Sequence, residues 1–134
     1  MGIFYVDCEV VNIQQPSRKE MVPKLLVDTG SEHTWIPEGV LQQIGINVFK
    51  KNTRFVMANG KMITRSIGYA LLQAPGFKTV DEVVFARPGD LCLLGSRTLE
   101  GFGATVDPQK KKLVAAGPYP AARSKNIGCR KVCA

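Results

Sequence analysis

The 134-residue chain holds one histidine, one tryptophan and four cysteines, and nowhere a run of eighteen apolar residues. Without such a run no membrane-spanning helix is expected. Cys8, Cys92, Cys129 and Cys133 are too few and too scattered for a disulfide scaffold. Cys129 and Cys133, with one distant histidine, fall short of the four ligands of a structural zinc, so neither metal nor cofactor is expected. The start MGIFYVDCEV carries acids where an export leader needs a basic end and a long apolar stretch. Position six is Val6, where lipidation at Gly2 would need Ser or Thr. The chain reads as cytoplasmic.

Acids are missing from residues 117–134, which hold Arg123, Lys125, Arg130 and Lys131. The net charge of +7 is therefore mostly a tail property, since the 14 other cations stand against 11 acids. Only Tyr119 offers an aromatic near those charges, so the base stacking that holds single-stranded nucleic acid is absent and no nucleic-acid partner is expected. The division is one domain over residues 1–116 and a basic, flexible C-terminal tail over residues 117–134, which lacks apolar periodicity.

Within residues 1–116, short segments rich in Val, Ile, Leu and Phe alternate with turns: FYVDCEVVNI, KLLVD, HTWI, RFVMA, MITRSIGYALLQA, VDEVVFA, LCLLG, ATVD and KLVAA. That spacing predicts an all-β barrel or sandwich. Helical spacing is brief, in PEGVLQQIGI, opened by Pro37 and stopped by Gly45, and in SRTLEGFG, capped by Ser96 and stopped by Gly101. Asn59-Gly60 predicts a long hairpin closed by a two-residue type I′ turn, and Asp107-Pro108 a second, exposed one. NIQQPSRKEMVP reads as a polar connection. An apolar strand, a Gly-Ser turn, a short helix and a Gly occur twice, from TGS to LQQIGI and from LGS to LEGFGA.

The stretch LLVDTGSEHTWIP ends an apolar strand on Asp28. An Asp-Thr-Gly alone suits an ordinary turn, where the carboxylate accepts hydrogen bonds from nearby amides. Here Trp35, Ile36 and a helix follow, so the acid stands at a partly buried cleft where an unpartnered charge is costly.

LLVDTGSEHTWIP, then FVMANG in a long hairpin, then LCLLGSRTLEGFGATVDP, resembles in order and spacing the retropepsin-like aspartic proteases, especially small single-lobe prokaryotic members. The resemblance covers residues 3 to about 116 and implies a closed β-barrel lobe with one or two short helices. It also implies a homodimer, because one Asp-Thr-Gly supplies only half of a two-carboxylate site, and an isologous axis would set Asp28 against its mate. Two carboxylates that close share one proton. One takes a proton from the attacking water and the other stabilises the oxygen charge, and the partner cleaved is a peptide or protein substrate.

By the same resemblance Thr29 bonds across the dimer, Gly30 lets backbone approach the carboxylates, and Ser31 donates to Asp28. Glu32 and His33 line a substrate groove, the Phe55 to Tyr69 hairpin is a flap with Ala58, Asn59 and Gly60 near its tip, and Leu93 borders a substrate pocket. Retroviral members carry Arg directly after the second Gly, whereas here Ser96 precedes Arg97, so an ion pair with Glu32 needs a different geometry. Two other functions compete: a catalytically silent peptide-binding or dimerisation module on the same lobe, and a Cys/His hydrolase using Cys92 and His33.

Overall fold

The computed structural model describes residues 3–122. Gly2 and the tail residues Arg123, Lys125, Cys129, Arg130, Lys131 and Cys133 lie outside them. Among the described residues the chain runs β1 (Tyr5–Val11), β2 (Lys19–Val27), β3 (Thr34–Pro37), α1 (Glu38–Gln43), β4 (Lys50–Val56), β5 (Met62–Ala74), β6 (Phe77–Ala86), β7 (Leu93–Leu94), α2 (Ser96–Phe102), β8 (Ala104–Asp107) and β9 (Lys112–Ala115). The expected all-β class with two short helices is found. Neither helix is long and apolar enough to cross a membrane.

Seven strands form one sheet in the order β1-β2-β7-β3-β6-β5-β4, and β1 also pairs with β5, so the sheet curls back on itself. Curling encloses apolar residues of β1, β2, β3, β5, β6 and β7, while β4 buries none. Cys8, Val10, Leu25, Ile36, Leu41, Leu72, Val83 and Leu94 fill the interior, where burial pushes the Cys8 thiol up to about 12. β8 and β9 form a separate hairpin. Past it, the Tyr119 hydroxyl donates to the Glu100 carbonyl of α2 at 3.2 Å.

Four local readings are corrected. KEMVP is strand, not connection: Lys19 to Val22 pair with Val11 to Cys8 of β1, and the register shifts between Val6 and Cys8. Pro23 is tolerated beside that bulge, where Lys24 takes φ 54° and donates its N–H to Asp7 Oδ1 at 3.0 Å. The exposed, charged face of this strand hides its period.

The β4–β5 turn has three residues, not two. Met57 N–H donates to Lys61 O, and Gly60 alone takes positive φ, at 84°. The Asn59 side chain accepts the Lys61 N–H at 2.9 Å, which removes the need for a left-handed Asn. Helix α2 is capped by Gly95 with Ser96 as its first residue, and it ends at Gly103, φ 68°, rather than at Gly101. Gly101 is needed for space, since a Cβ there would stand 2.3 Å from Thr79 Oγ1.

Candidate active site

Asp28 lies where two strand ends meet. β2 runs parallel to β7, pairing Leu26 with Leu93 and Val27 with Leu94, and β3 returns antiparallel on the other side of β7, with Trp35 opposite Leu93. As the chain leaves β2, the Asp28 N–H donates to Leu94 O at 3.0 Å and the Ser31 N–H to Asp28 O at 3.2 Å. The acid is thus fixed by backbone on both sides while its side chain stays partly exposed. Its Oδ1 accepts the Gly30 N–H at 2.9 Å. Thr29 and Gly30, at the tip of the turn, are exposed.

The second Gly-Ser turn closes over the first. Ser96 N–H donates to Ser31 O at 2.7 Å and Arg97 N–H to Glu32 O at 3.1 Å. Underneath runs a hydrogen-bonded chain through two fully buried threonines. The Gly95 N–H donates to Thr34 Oγ1 at 3.0 Å, Thr34 and Thr98 hydroxyls lie 2.6 Å apart, and Thr98 Oγ1 donates to Asp81 Oδ2 at 2.9 Å. Each hydroxyl has one proton, so the Thr98 proton goes to Asp81 and the Thr34 proton to Thr98. The chain has a single direction and no member is left unsatisfied. The two Gly-Ser turns are thus laced together, although the first leads into β3 before its helix and the second directly into α2.

Of the other expected site residues, Glu32 is exposed beside this turn and His33 half-buried. The His33 ring stands edge-on to Phe55 of β4 at 5.4 Å, and Trp35 packs on Phe55 at 5.0 Å, so the outer part of the β4–β5 hairpin, next to its turn, rests against the segment following Asp28. Ala58, Asn59 and Gly60 are exposed at the hairpin's tip, as are Val56, Met57 and Met62. Leu93 is buried in β7, only 7% exposed, and within one chain backs the Asp28 turn.

Two expectations for the side chains change. Ser31 Oγ donates to His33 O at 3.2 Å, not to Asp28, whose carboxylate is served by the Gly30 amide. Arg97 makes no ion pair with Glu32; its guanidinium lies 3.2 Å from Glu82 Oε1. Glu82 went unnoticed in the sequence, as did Thr34, Asp81 and Thr98. The one available signal was the Asp81-Glu82 pair inside the otherwise apolar VDEVVFA. Lys50 foremost, with Tyr69 and Arg97, holds the Glu82 carboxyl down at about 2. A second anchor is bidentate: Arg65 of β5 meets Asp90 at 2.7 and 2.8 Å and holds that carboxyl below its usual range.

The Cys/His alternative loses its footing. His33 turns Nε2 toward Glu82, 3.4 Å away, and burial pushes the Cys92 thiol up, opposite to the shift that activates a nucleophile. Among the described residues no group of three His, Cys, Asp or Glu side chains is arranged to hold a metal ion. Depressions of about 240 Å³, lined by Asn12, Gly45, Phe49 and Tyr69 among others, and of about 210 Å³, beside Glu38 and Arg87, include no residue of the Asp28 turn.

Residues 18–98, more than half of the chain, match the family model described as aspartyl protease. A comparison with curated proteins finds no match. Among solved structures, the retroviral protease-like domain of Ddi1 from Leishmania major superposes with a TM-score of 0.54 at 16% identity, covering 86% of this chain and 89% of that one. At that identity the likeness speaks for the fold alone.

Proposed function

Because the chain belongs to the aspartyl protease family, we propose that it is an aspartic endopeptidase whose site is assembled from two copies. The observation that carries this reading is the Asp28 turn: a partly exposed carboxylate on a rigid backbone crossing, its Oδ1 oriented by the Gly30 amide. Neither depression described above includes a residue of the Asp28 turn, and with one Asp-Thr-Gly in the chain a two-carboxylate site takes its second Asp28 from a mate. Thr29 and Gly30, exposed at the tip, are the residues a two-fold axis would bring into contact.

In the dimer the paired carboxylates hold one proton between them. The ionised Asp28 takes a proton from water as it attacks the peptide carbonyl, and the neutral one donates to the developing oxyanion; the roles then exchange as the amine leaves. The β4–β5 hairpin, apolar at its exposed tip, is the flap that covers bound peptide. Glu32 and His33 line the groove beneath it.

The test is cleavage of a random peptide library by wild type and Asp28→Asn, with the oligomeric state measured alongside. Wild type should cleave as a dimer, and Asp28→Asn should remain dimeric while losing activity by roughly 10³-fold or more. Undiminished cleavage by the variant, or a wild type that is monomeric at every concentration, overturns the reading. Peptide binding without any cleavage by wild type would make the chain a silent peptide-binding module instead.

A further inference from the structure

Glu82 stands in β6 just before Val83, Val84 and Phe85, all buried, and is itself only 6% exposed. An ionised carboxylate at such a place is unfavourable unless its lone pairs are met by charged or strong donors. Three side chains donate to them and a fourth stands close, from four separate segments, and the two oxygens divide the work. Oε2 takes the hairpin: Lys50 Nζ of β4 at 2.7 Å and the Tyr69 hydroxyl of β5 at 3.1 Å. Oε1 takes the other side: it accepts from Arg97 Nη1 of α2 at 3.2 Å, and His33 Nε2, in the segment following Asp28, stands 3.4 Å away.

One planar group therefore ties both strands of the hairpin to the segment carrying the catalytic turn. The link is reinforced on each side. Arg97 also holds Glu32 O through its own amide, and the His33 ring packs edge-on to Phe55 of β4. The tip of the hairpin, by contrast, touches little: Val56, Met57 and Met62 are all exposed. The hairpin is held at its base by Glu82 and again near its end by Phe55, and the exposed turn beyond them is free.

We propose that Glu82 is a positioning residue, a clamp that holds the base of the flap in register with the Asp28 turn so that the flap closes over peptide at the carboxylate. This rests on the protease reading above. The surrounding donors, Lys50 first, keep Glu82 ionised into strong acid, so the clamp persists at pH values where ordinary carboxylates are neutral.

Amide hydrogen exchange and steady-state kinetics on the full chain distinguish a clamp from a mere stabiliser. In Glu82→Gln, amides of residues 50–67 should exchange about tenfold faster while those of the β1–β2 pair change little, and KM should rise about tenfold with a smaller change in kcat. Tyr69→Phe, which removes one flap-side donor and leaves the Asp28 side whole, should move both readouts the same way by less, and serves if Glu82→Gln does not fold. Unchanged exchange over residues 50–67, or a uniform acceleration across the domain, overturns the clamp. A wild type that cleaves nothing overturns the protease reading, and the exchange pattern still decides whether Glu82 fastens the hairpin.

Discussion

Gly30 and Gly95 occupy equivalent places in the two turns of the repeat, each before a serine, yet their surroundings are opposite. Gly95 is buried where the turns cross. A Cβ built on it would lie 2.4 Å from the His33 carbonyl oxygen and 2.6 Å from that of Glu32, both backbone atoms with nowhere to go. Its φ of −92° is open to any residue, so the glycine is there for space and not for conformational freedom. Gly30 is exposed, and the nearest atom to its imagined Cβ is Asp28 Oδ1 at 3.3 Å. One turn of the repeat is a fastener and the other a presenter. Asp28 can be partly exposed and still fixed because the second turn supplies the burial that the first gives up.

The sharpest way to break that contrast is Gly95→Ala. The methyl group must push the His33 and Glu32 carbonyls apart, and with them the Gly95–Thr34–Thr98–Asp81 hydrogen-bond chain. A loss of about 3 kcal/mol or more is expected, at the upper end of what overpacking costs. Urea unfolding measures it, and a loss below about 1 kcal/mol would show that the crossing yields where it is described here as rigid.

The next effect is smaller and depends on pH. Glu82, which fastens the neighbouring segment, is held from its ordinary 4.5 down to about 2, chiefly by Lys50. A carboxyl held low stabilises the fold above its unfolded value and loses that contribution as pH falls toward its folded one, so the window is pH 4.5 down to 2. With Lys50 and Arg97 each nearly half exposed, the contribution is discounted for solvent screening to roughly 2 kcal/mol. Melting temperature should therefore fall more steeply across this window in wild type than in Glu82→Gln. Parallel curves would mean that the donors around Glu82 add nothing to the folded state.

How much of this was legible in the sequence follows from which interactions are local. Asp28 stands out because apolar residues run directly into it, and strand period and glycine spacing reveal both helices and most strands. Strand β2 was read short because Lys19, Glu20 and Pro23 face solvent and the pairing that makes them a strand comes from β1. Thr34, Asp81 and Thr98 were missed because each is an unremarkable residue until three distant segments meet. Thr34 and Thr98 are sixty-four positions apart and 2.6 Å in space. The direction of the Ser31 hydroxyl was misread for a related reason, since an amide two residues away serves Asp28 better.

Gly30→Ala should have the smallest effect on stability and so tests the presenting half of the comparison. Gly30 does not use positive φ, so alanine restricts the unfolded chain and by itself stabilises by about 0.5 kcal/mol. The 3.3 Å approach to Asp28 Oδ1 offsets this, leaving a net change within about 0.5 kcal/mol either way. Under the proposed peptidase activity the cost appears in the chemistry instead. The methyl displaces the carboxylate by a few tenths of an ångström from the Gly30 amide that orients it, and misplacement on that scale should lower kcat about tenfold with KM nearly unchanged. Equal losses of stability and turnover would place Gly30 with Gly95 as a packing residue. Turnover lost from a fully stable dimer would show that the two glycines divide holding from presenting.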